Sequence, residues 1–205
     1  MSIRDTSIDP RLIESARKEF MEKGFIKAEL KTICDNANIT TGAVYKRYKG
    51  KQELFGAVVE KAVETLDSFV SERTNVDFSS MSDEEVRNTW IMNEKYILDV
   101  FRILWDIREE FVLLLEKSAG TVHENFGHDF AFRMTHAYTQ YYEEAKKRDI
   151  AKAEITDKEM HVLCTIFWTS VYEPFIHEMS WKETEEHCKV VCRFMDWKNA
   201  VGIMD

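Results

Sequence analysis

A chain of 205 residues, 44% hydrophobic and 32% charged, is long enough to bury a core and has the composition of a globular protein rather than a disordered one. Its longest wholly apolar run, FVLLL at 111–115, is far short of the ~20 residues a membrane span needs, and the N-terminal MSIRDTSIDPR has no signal-peptide core. The net charge of −9 excludes a uniformly basic nucleic-acid binder, and four cysteines without a tight framework fit free thiols in a reducing cytoplasm, the expected location.

Only two prolines and seven glycines punctuate the chain, and strand-like alternation is scarce, which predicts an all-α fold. Asp9-Pro10 reads as an N-cap followed by proline at the first helical position. Leu12, Ile13, Ala16 and Phe20 then form an inward stripe that Gly24 ends. A second helix is predicted from about Leu30 to Ala37, and a third from Thr41 to Tyr48, with Thr40 as its cap. A fourth begins near Lys51 and carries Leu54, Val58, Ala62, Leu66 and Phe69.

The motif Ser82-Asp83-Glu84-Glu85 is a capping box, so 75–82 is a loop before the next helix. Trp90, Ile97, Phe101, Leu104 and Trp105 follow at helical spacing and lead into an apolar helix through Leu115, which Ala119-Gly120-Thr121 interrupts. The next helix spans about 122–147, its end supplied with cations by Lys146-Lys147-Arg148. Two further capping boxes, at Thr156–Glu159 and Ser180–Glu183, open final helices over 157–178 and 181–200, and Pro174 is expected to kink the first of them.

Charge is segregated along this order. Residues 1–56 hold eleven Lys/Arg against eight Asp/Glu, a net +3, and the remainder holds 17 basic against 29 acidic residues, a net −12. Between Asn38 and Gln52 there are four cations, Lys46, Arg47, Lys49 and Lys51, and no acid. A solvated helix face would mix its signs. A short polar helix with tyrosines and uncancelled cations suits a phosphate-lined groove instead.

The run Ile33-Cys34-Asp35-Asn36-Ala37-Asn38-Ile39-Thr40-Thr41-Gly42-Ala43-Val44-Tyr45, continued by Tyr48-Lys49-Gly50-Lys51-Gln52-Glu53-Leu54, resembles the N-terminal domain of the TetR family of bacterial transcriptional regulators. Asn38 stands where that family usually has Gly, at a turn that favours positive φ. The resemblance implies a helix-turn-helix DNA-binding domain over 1–56. A helical effector-binding and dimerisation domain then covers 57–205, joined to the first by a long helix. It implies that Thr40 caps the recognition helix and that Gly42 lets the backbone approach the groove. Thr41 and Lys46 are then candidates for base edges, and Thr32, Tyr45 and Lys51 for phosphate contacts. Arg47 and Tyr48 replace a usual His or Tyr and a usual Phe, adding polar contacts.

For the body, the resemblance implies a homodimer through residues 157–178 and 181–200. It would read a palindrome in double-stranded DNA as a repressor released by a small-molecule effector. Trp90, Phe101, Trp105, Phe126, Phe130 and Tyr138 are the expected ligand-cavity residues, with Tyr96, Phe111 and Tyr142 as further candidates. Glu109, Glu110, His123, His128 and His136 are expected to supply polar contacts, and acidic residues in an aromatic cavity would suit a lipophilic cation. The alternative is a helical sensor that acts through a protein partner without DNA. An enzyme is not expected, nor a metal or cofactor: the sequence has no CxxC, no HExxH and no Gly-rich phosphate loop, and His161 with Cys164 is a weak pair.

Overall fold

Amphipathic spacing and three capping boxes lay out helices along the whole chain. The structure, a computed structural model, describes residues 8–203. Its α-helices are α1 (Ile8–Lys27), α2 (Leu30–Ala37), α3 (Thr41–Tyr45), α4 (Lys51–Thr74), α5 (Asp83–Asn88) and α6 (Glu94–Asp106). They continue with α7 (Arg108–Glu116), α8 (Phe126–Lys147), α9 (Asp157–Ile176), α10 (Trp181–Phe194) and α11 (Trp197–Ala200). Among the described residues the one departure toward β structure is an isolated antiparallel bridge between Ala151 and Ile203.

Several boundaries differ from those expected. The first helix already includes Ile8, so Asp9 lies inside its first turn rather than capping it. Gly24 adopts φ 70°, ψ 164°, a bend that only glycine makes without strain, and the helix resumes briefly as far as Lys27. The apolar stretch from 85 to 115 is three helices, not two, because the chain turns at 89–93 and again at Ile107. The helix expected over 122–147 begins at Phe126, and the last predicted helix breaks after Phe194.

Packing divides the chain into two units, residues up to Thr65 with Ile107–Phe126, and Leu66–Asp106 with Gly127 onward. The division falls within α4. The physical reason is burial: Leu54, Phe55, Val59 and Ala62 are fully buried and belong to the first core, together with Leu12, Ala16, Phe20, Ile33 and Val44. Phe20, Phe25 and Phe55 pack there as an aromatic triad with centroids 5.1–6.1 Å apart. The segment with α7 joins the same unit through the Phe25 N–H, which donates to the Lys117 carbonyl at 3.0 Å, and through Arg17, paired with Glu109 and Glu110.

In the second unit all three predicted capping boxes form, at Ser82/Glu85, Thr156/Glu159 and Ser180/Glu183. The 75–82 loop contains a 3-10 turn at Phe78–Ser80. Arg148, expected to complement the end of α8, also donates to the Phe78 carbonyl at 2.6 Å and the Met81 carbonyl at 2.7 Å, which fixes that loop. Pro174 sits within α9, where it can donate no hydrogen bond to the Ser170 carbonyl. His187 Nε2 of α10 lies 2.8 Å from that carbonyl and, since the carbonyl only accepts, must carry the hydrogen.

Candidate functional site

The turn between α2 and α3 is built from its backbone upward. Asn38 takes the left-handed conformation, φ 53°, ψ 48°. Its N–H donates to the Asp35 carbonyl at 3.1 Å and the Ile39 N–H to the Cys34 carbonyl at 3.0 Å. These are the paired bonds of a Schellman ending, with asparagine where glycine is commoner. Thr40 then caps α3, its hydroxyl accepting from the Ala43 N–H at 3.2 Å. Ile33, Ala37 and Val44 are buried and hold the two helices against α1, where the Ser15 hydroxyl donates to the Ile33 carbonyl at 2.8 Å.

This packing leaves one face open. Thr40, Thr41, Gly42, Tyr45 and Lys46 are exposed, Tyr45 at 59% despite its ring. The helix proper ends at Tyr45, short of the expected Tyr48, but the Tyr48 N–H still donates to the Val44 carbonyl at 2.9 Å, so the helical turn carries Lys46 on the open side. Burial pushes the Cys34 thiol up, with Asp35 adding to it and a hydrogen bond from Thr41 opposing it. Thr32 and Tyr48 are half-buried.

Two of the expected DNA contacts have partners inside the protein. The Arg47 side chain is only 9% exposed, donating from Nε to Asp9 and from Nη1 to the Ala43 carbonyl at 3.2 Å. It braces α3 against α1 instead of facing outward. Lys51 Nζ donates to the Ile26 carbonyl at 3.1 Å and the Ala28 carbonyl at 2.9 Å and lies 4.6 Å from the centroid of the Phe25 ring. It satisfies carbonyls at the end of α1, and one of an ammonium's three donors remains for a phosphate.

The second unit encloses a cavity of about 540 Å3 between α4, α6, α8 and α9, within the size range of small-molecule sites. Three of the six expected residues line it, namely Trp90, Phe130 and Tyr138. Tyr138 stacks on Trp197 with centroids 5.6 Å apart and planes 4° from parallel, and Phe130 lies 4.2 Å from Trp168. The other three are elsewhere. Phe101 is fully buried against Phe175 and His187, Trp105 packs on Phe175 and Trp181, and Phe126 belongs to the first unit beside His123. Helical spacing marks these rings as inward but does not say inward to what. Tyr142 is occupied too, its hydroxyl donating to the Ala153 carbonyl at 2.7 Å and accepting from the Ile155 N–H at 2.9 Å.

The expected acidic lining is not there. Glu109 and Glu110 pair with Arg17 in the first unit, and His128 and His136 are exposed outside the cavity. The cation Arg73 lines the cavity instead, donating to the Tyr96 hydroxyl and, at 3.1 Å, to the Phe69 carbonyl. Burial works against the charge of Arg73, yet Tyr138 and Tyr96 outweigh it and raise its pKa. Burial likewise pushes the Tyr138 phenol up, with Arg73 opposing. Sequence reading missed Arg73, although Leu66, Phe69, Val70 and Arg73 share one helical stripe, on which an arginine is out of place among apolar neighbours. Among the described residues no group of three or more His, Cys, Asp or Glu is arranged to hold a metal, and no helix is long and apolar enough to cross a membrane.

Residues 12–58 match the family model described as bacterial regulatory proteins, tetR family. The chain is 28% identical over 98 residues to the transposon Tn10 TetC protein of Escherichia coli, covering 48% of each. It is 31% identical over 94 residues to the HTH-type transcriptional regulator TtgR of Pseudomonas putida, covering 46% of this chain and 41% of that one. It thus spans about half the length of the curated relatives it matches. Over nearly the whole chain, its fold is similar to a tetR-family regulatory protein from Rhodococcus RHA1, with TM-score 0.59, 15% identity and coverage of 98% and 100%. It is also similar to NalD, the secondary repressor of the MexAB-OprM multidrug efflux pump in Pseudomonas aeruginosa, with TM-score 0.59, 16% identity and coverage of 91% and 94%. The open helix-turn-helix face lies inside the segment that matches the tetR-family model.

Proposed function

We propose that this protein is a transcriptional repressor that binds a palindromic operator as a homodimer and is released by a small molecule held in the cavity of the second unit. The observation that carries the reading is the exposed Thr40-Thr41-Gly42-Tyr45-Lys46 face, presented by a capped helix and a left-handed asparagine turn. Thr41 and Lys46 are assigned to base edges. Thr32, Tyr45, the Thr40 end of α3 and the remaining donor of Lys51 are assigned to phosphates. Arg47 and Tyr48 position this face rather than touch DNA.

Dimerisation through α9 and α10 is supported by apolar side chains that the single chain leaves in water, Val162 at 56%, Ile166 at 42%, Val190 at 50% and Phe194 at 72% exposed. Two-fold symmetry would present two recognition helices to major grooves roughly 34–36 Å apart. Repression rather than activation is supported by NalD, which is described as a repressor. An effector acts here only through its differential affinity for the DNA-competent and DNA-incompetent arrangements of the dimer.

Selection of duplexes from a random DNA pool by the purified, ligand-free protein at moderate salt tests this directly. Enrichment of a palindrome is expected. A folded, pure dimer that enriches nothing overturns the operator-binding reading.

A further inference from the structure

Arg73 is a cation at the rim of an aromatic cavity with no carboxylate bonded to it among the described residues. It donates to the Tyr96 hydroxyl and to its own helix's Phe69 carbonyl, its guanidinium lies 5.3 Å from the Tyr96 ring, and it also hydrogen-bonds the Tyr138 side chain. Arginine carries five N–H donors, so these contacts leave capacity for a ligand's oxygens. Glu72 is the one acid among the described lining residues, and it lies on the exposed side of α4. Trp90, 1% exposed and also lining the cavity, has an indole N–H that finds no acceptor among the described residues. A buried donor without an acceptor is costly unless something completes it. Apart from the neutral polar side chains of Asn88, Thr89 and Asn93, the remaining lining, including Leu104, Phe130, Met134, Trp168 and Val171, is apolar or aromatic. The cavity therefore offers a fixed cation and an open donor beside a large apolar volume. That chemistry complements an anion and opposes the lipophilic cation which acidic residues would have favoured.

We infer that the effector is a lipophilic organic anion, a carboxylate or sulfonate on an aromatic or aliphatic body, with Arg73 as its anion-binding residue. The inference rests on the reading of this cavity as the effector site. Arg73 stands in the last turn of α4, the helix whose first residue is Lys51, so the ligand's charge acts on the same helix that begins at the DNA-reading domain. The planar guanidinium takes two oxygens of one anion side by side, which a lysine would not reproduce.

The test compares two fluorescent probes that share a ring skeleton, 8-anilinonaphthalene-1-sulfonate and the neutral N-phenyl-1-naphthylamine, by titration into the full-length protein. The sulfonate is expected to bind roughly 10- to 100-fold more tightly, the usual gain from charge-assisted hydrogen bonds. In Arg73→Gln, checked for helical content by circular dichroism, the ratio of the two affinities should fall to about one. Arg73→Lys, which keeps the charge without the fork, should retain part of the preference and serves if the glutamine variant fails to fold. Equal affinities in the unaltered protein, or a ratio untouched by either substitution, would overturn the anion assignment. Ala137→Trp, placed in the lining to fill the cavity, separates this from failure of the cavity itself. Loss of both probes there locates them in the cavity, whereas undiminished binding of both, or no binding of either probe to the unaltered protein, removes the effector-site reading and the inference with it.

Discussion

The His187 ring in α10 donates from Nε2 to the Ser170 carbonyl of α9 at 2.8 Å, and that carbonyl is the one Pro174 leaves without its helical donor. A backbone defect in one helix is thereby turned into a tie to the next, in the part of the chain assigned to the dimer interface. His187→Ala is expected to lower stability by about 1–3 kcal/mol, the range for a part-buried acceptor left without its donor. Pro174→Ala restores an N–H able to serve Ser170, so in that background the histidine substitution should cost less, with a coupling of roughly 1 kcal/mol. Urea denaturation of the four proteins measures the cycle, and an identical cost in both backgrounds would show that the proline and histidine are independent.

Arg47 and Lys46 are neighbours in sequence with opposite assignments. Arg47→Ala, which breaks the bonds to Asp9 and Ala43, should cost roughly 1–3 kcal/mol of stability while leaving the salt dependence of DNA binding unchanged. Lys46→Ala should leave stability within about 0.5 kcal/mol and reduce the slope of log K against log salt by about one. Titrations at several salt concentrations, with chemical denaturation alongside, separate them. A reduced slope for the arginine variant would place Arg47 on the DNA after all.

Gly42 gives effects of opposite sign on folding and on binding. A Cβ at this position would meet only the Thr40 hydroxyl, at 3.9 Å, so the protein itself has room for it. Gly42→Ala should therefore raise stability by about 0.5–1 kcal/mol, the usual gain in a helix. If the backbone here lies close to the groove, operator affinity should nevertheless fall by roughly tenfold or more. Unchanged affinity on the selected operator would remove the close-approach role.

The buried Cys164 thiol is pushed up to about 12 by desolvation, against a hydrogen bond from Thr135 that works the other way. Its folded pKa lies above the 9.0 of an unburied thiol, so the folded state binds the extra proton between these values. Its contribution to stability is complete below pH 9 and is lost as pH rises toward 12, at up to about 1.4 kcal/mol per pH unit. Cys164→Ala should flatten the alkaline limb of a stability–pH profile relative to the unaltered protein, and an unchanged limb would contradict the assignment.

Val162→Glu and Phe194→Glu place charges on exposed apolar positions and should leave the monomer folded while weakening self-association at least tenfold. Sedimentation equilibrium reads the effect. Dimers as tight as before would move the interface off α9 and α10.

The open face of the candidate site was largely legible in the sequence, and the cavity only in part. Asn38, Thr40, Val44 and the three capping boxes act through partners within a few residues, so spacing reveals them. Trp90, Phe130 and Tyr138, which line the cavity, and Phe101, Trp105 and Phe126, which do not, are alike in sequence as large rings on inward stripes. Which stripe faces an open volume depends on how four helices pack, and periodicity does not encode that.

The helical class, the order of the helices, the turn into α3 and the resemblance carried by residues 12–58 are legible in the sequence, because each rests on residues close along the chain. Tertiary structure alone decided which cations are open to a ligand. Arg47 meets Asp9 across 38 positions and Lys51 meets Ile26 across 25, whereas Arg73 keeps donors for something other than the protein's own carboxylates. A charge in a sequence carries no record of its partner, and the partner is set only when the core brings distant side chains together.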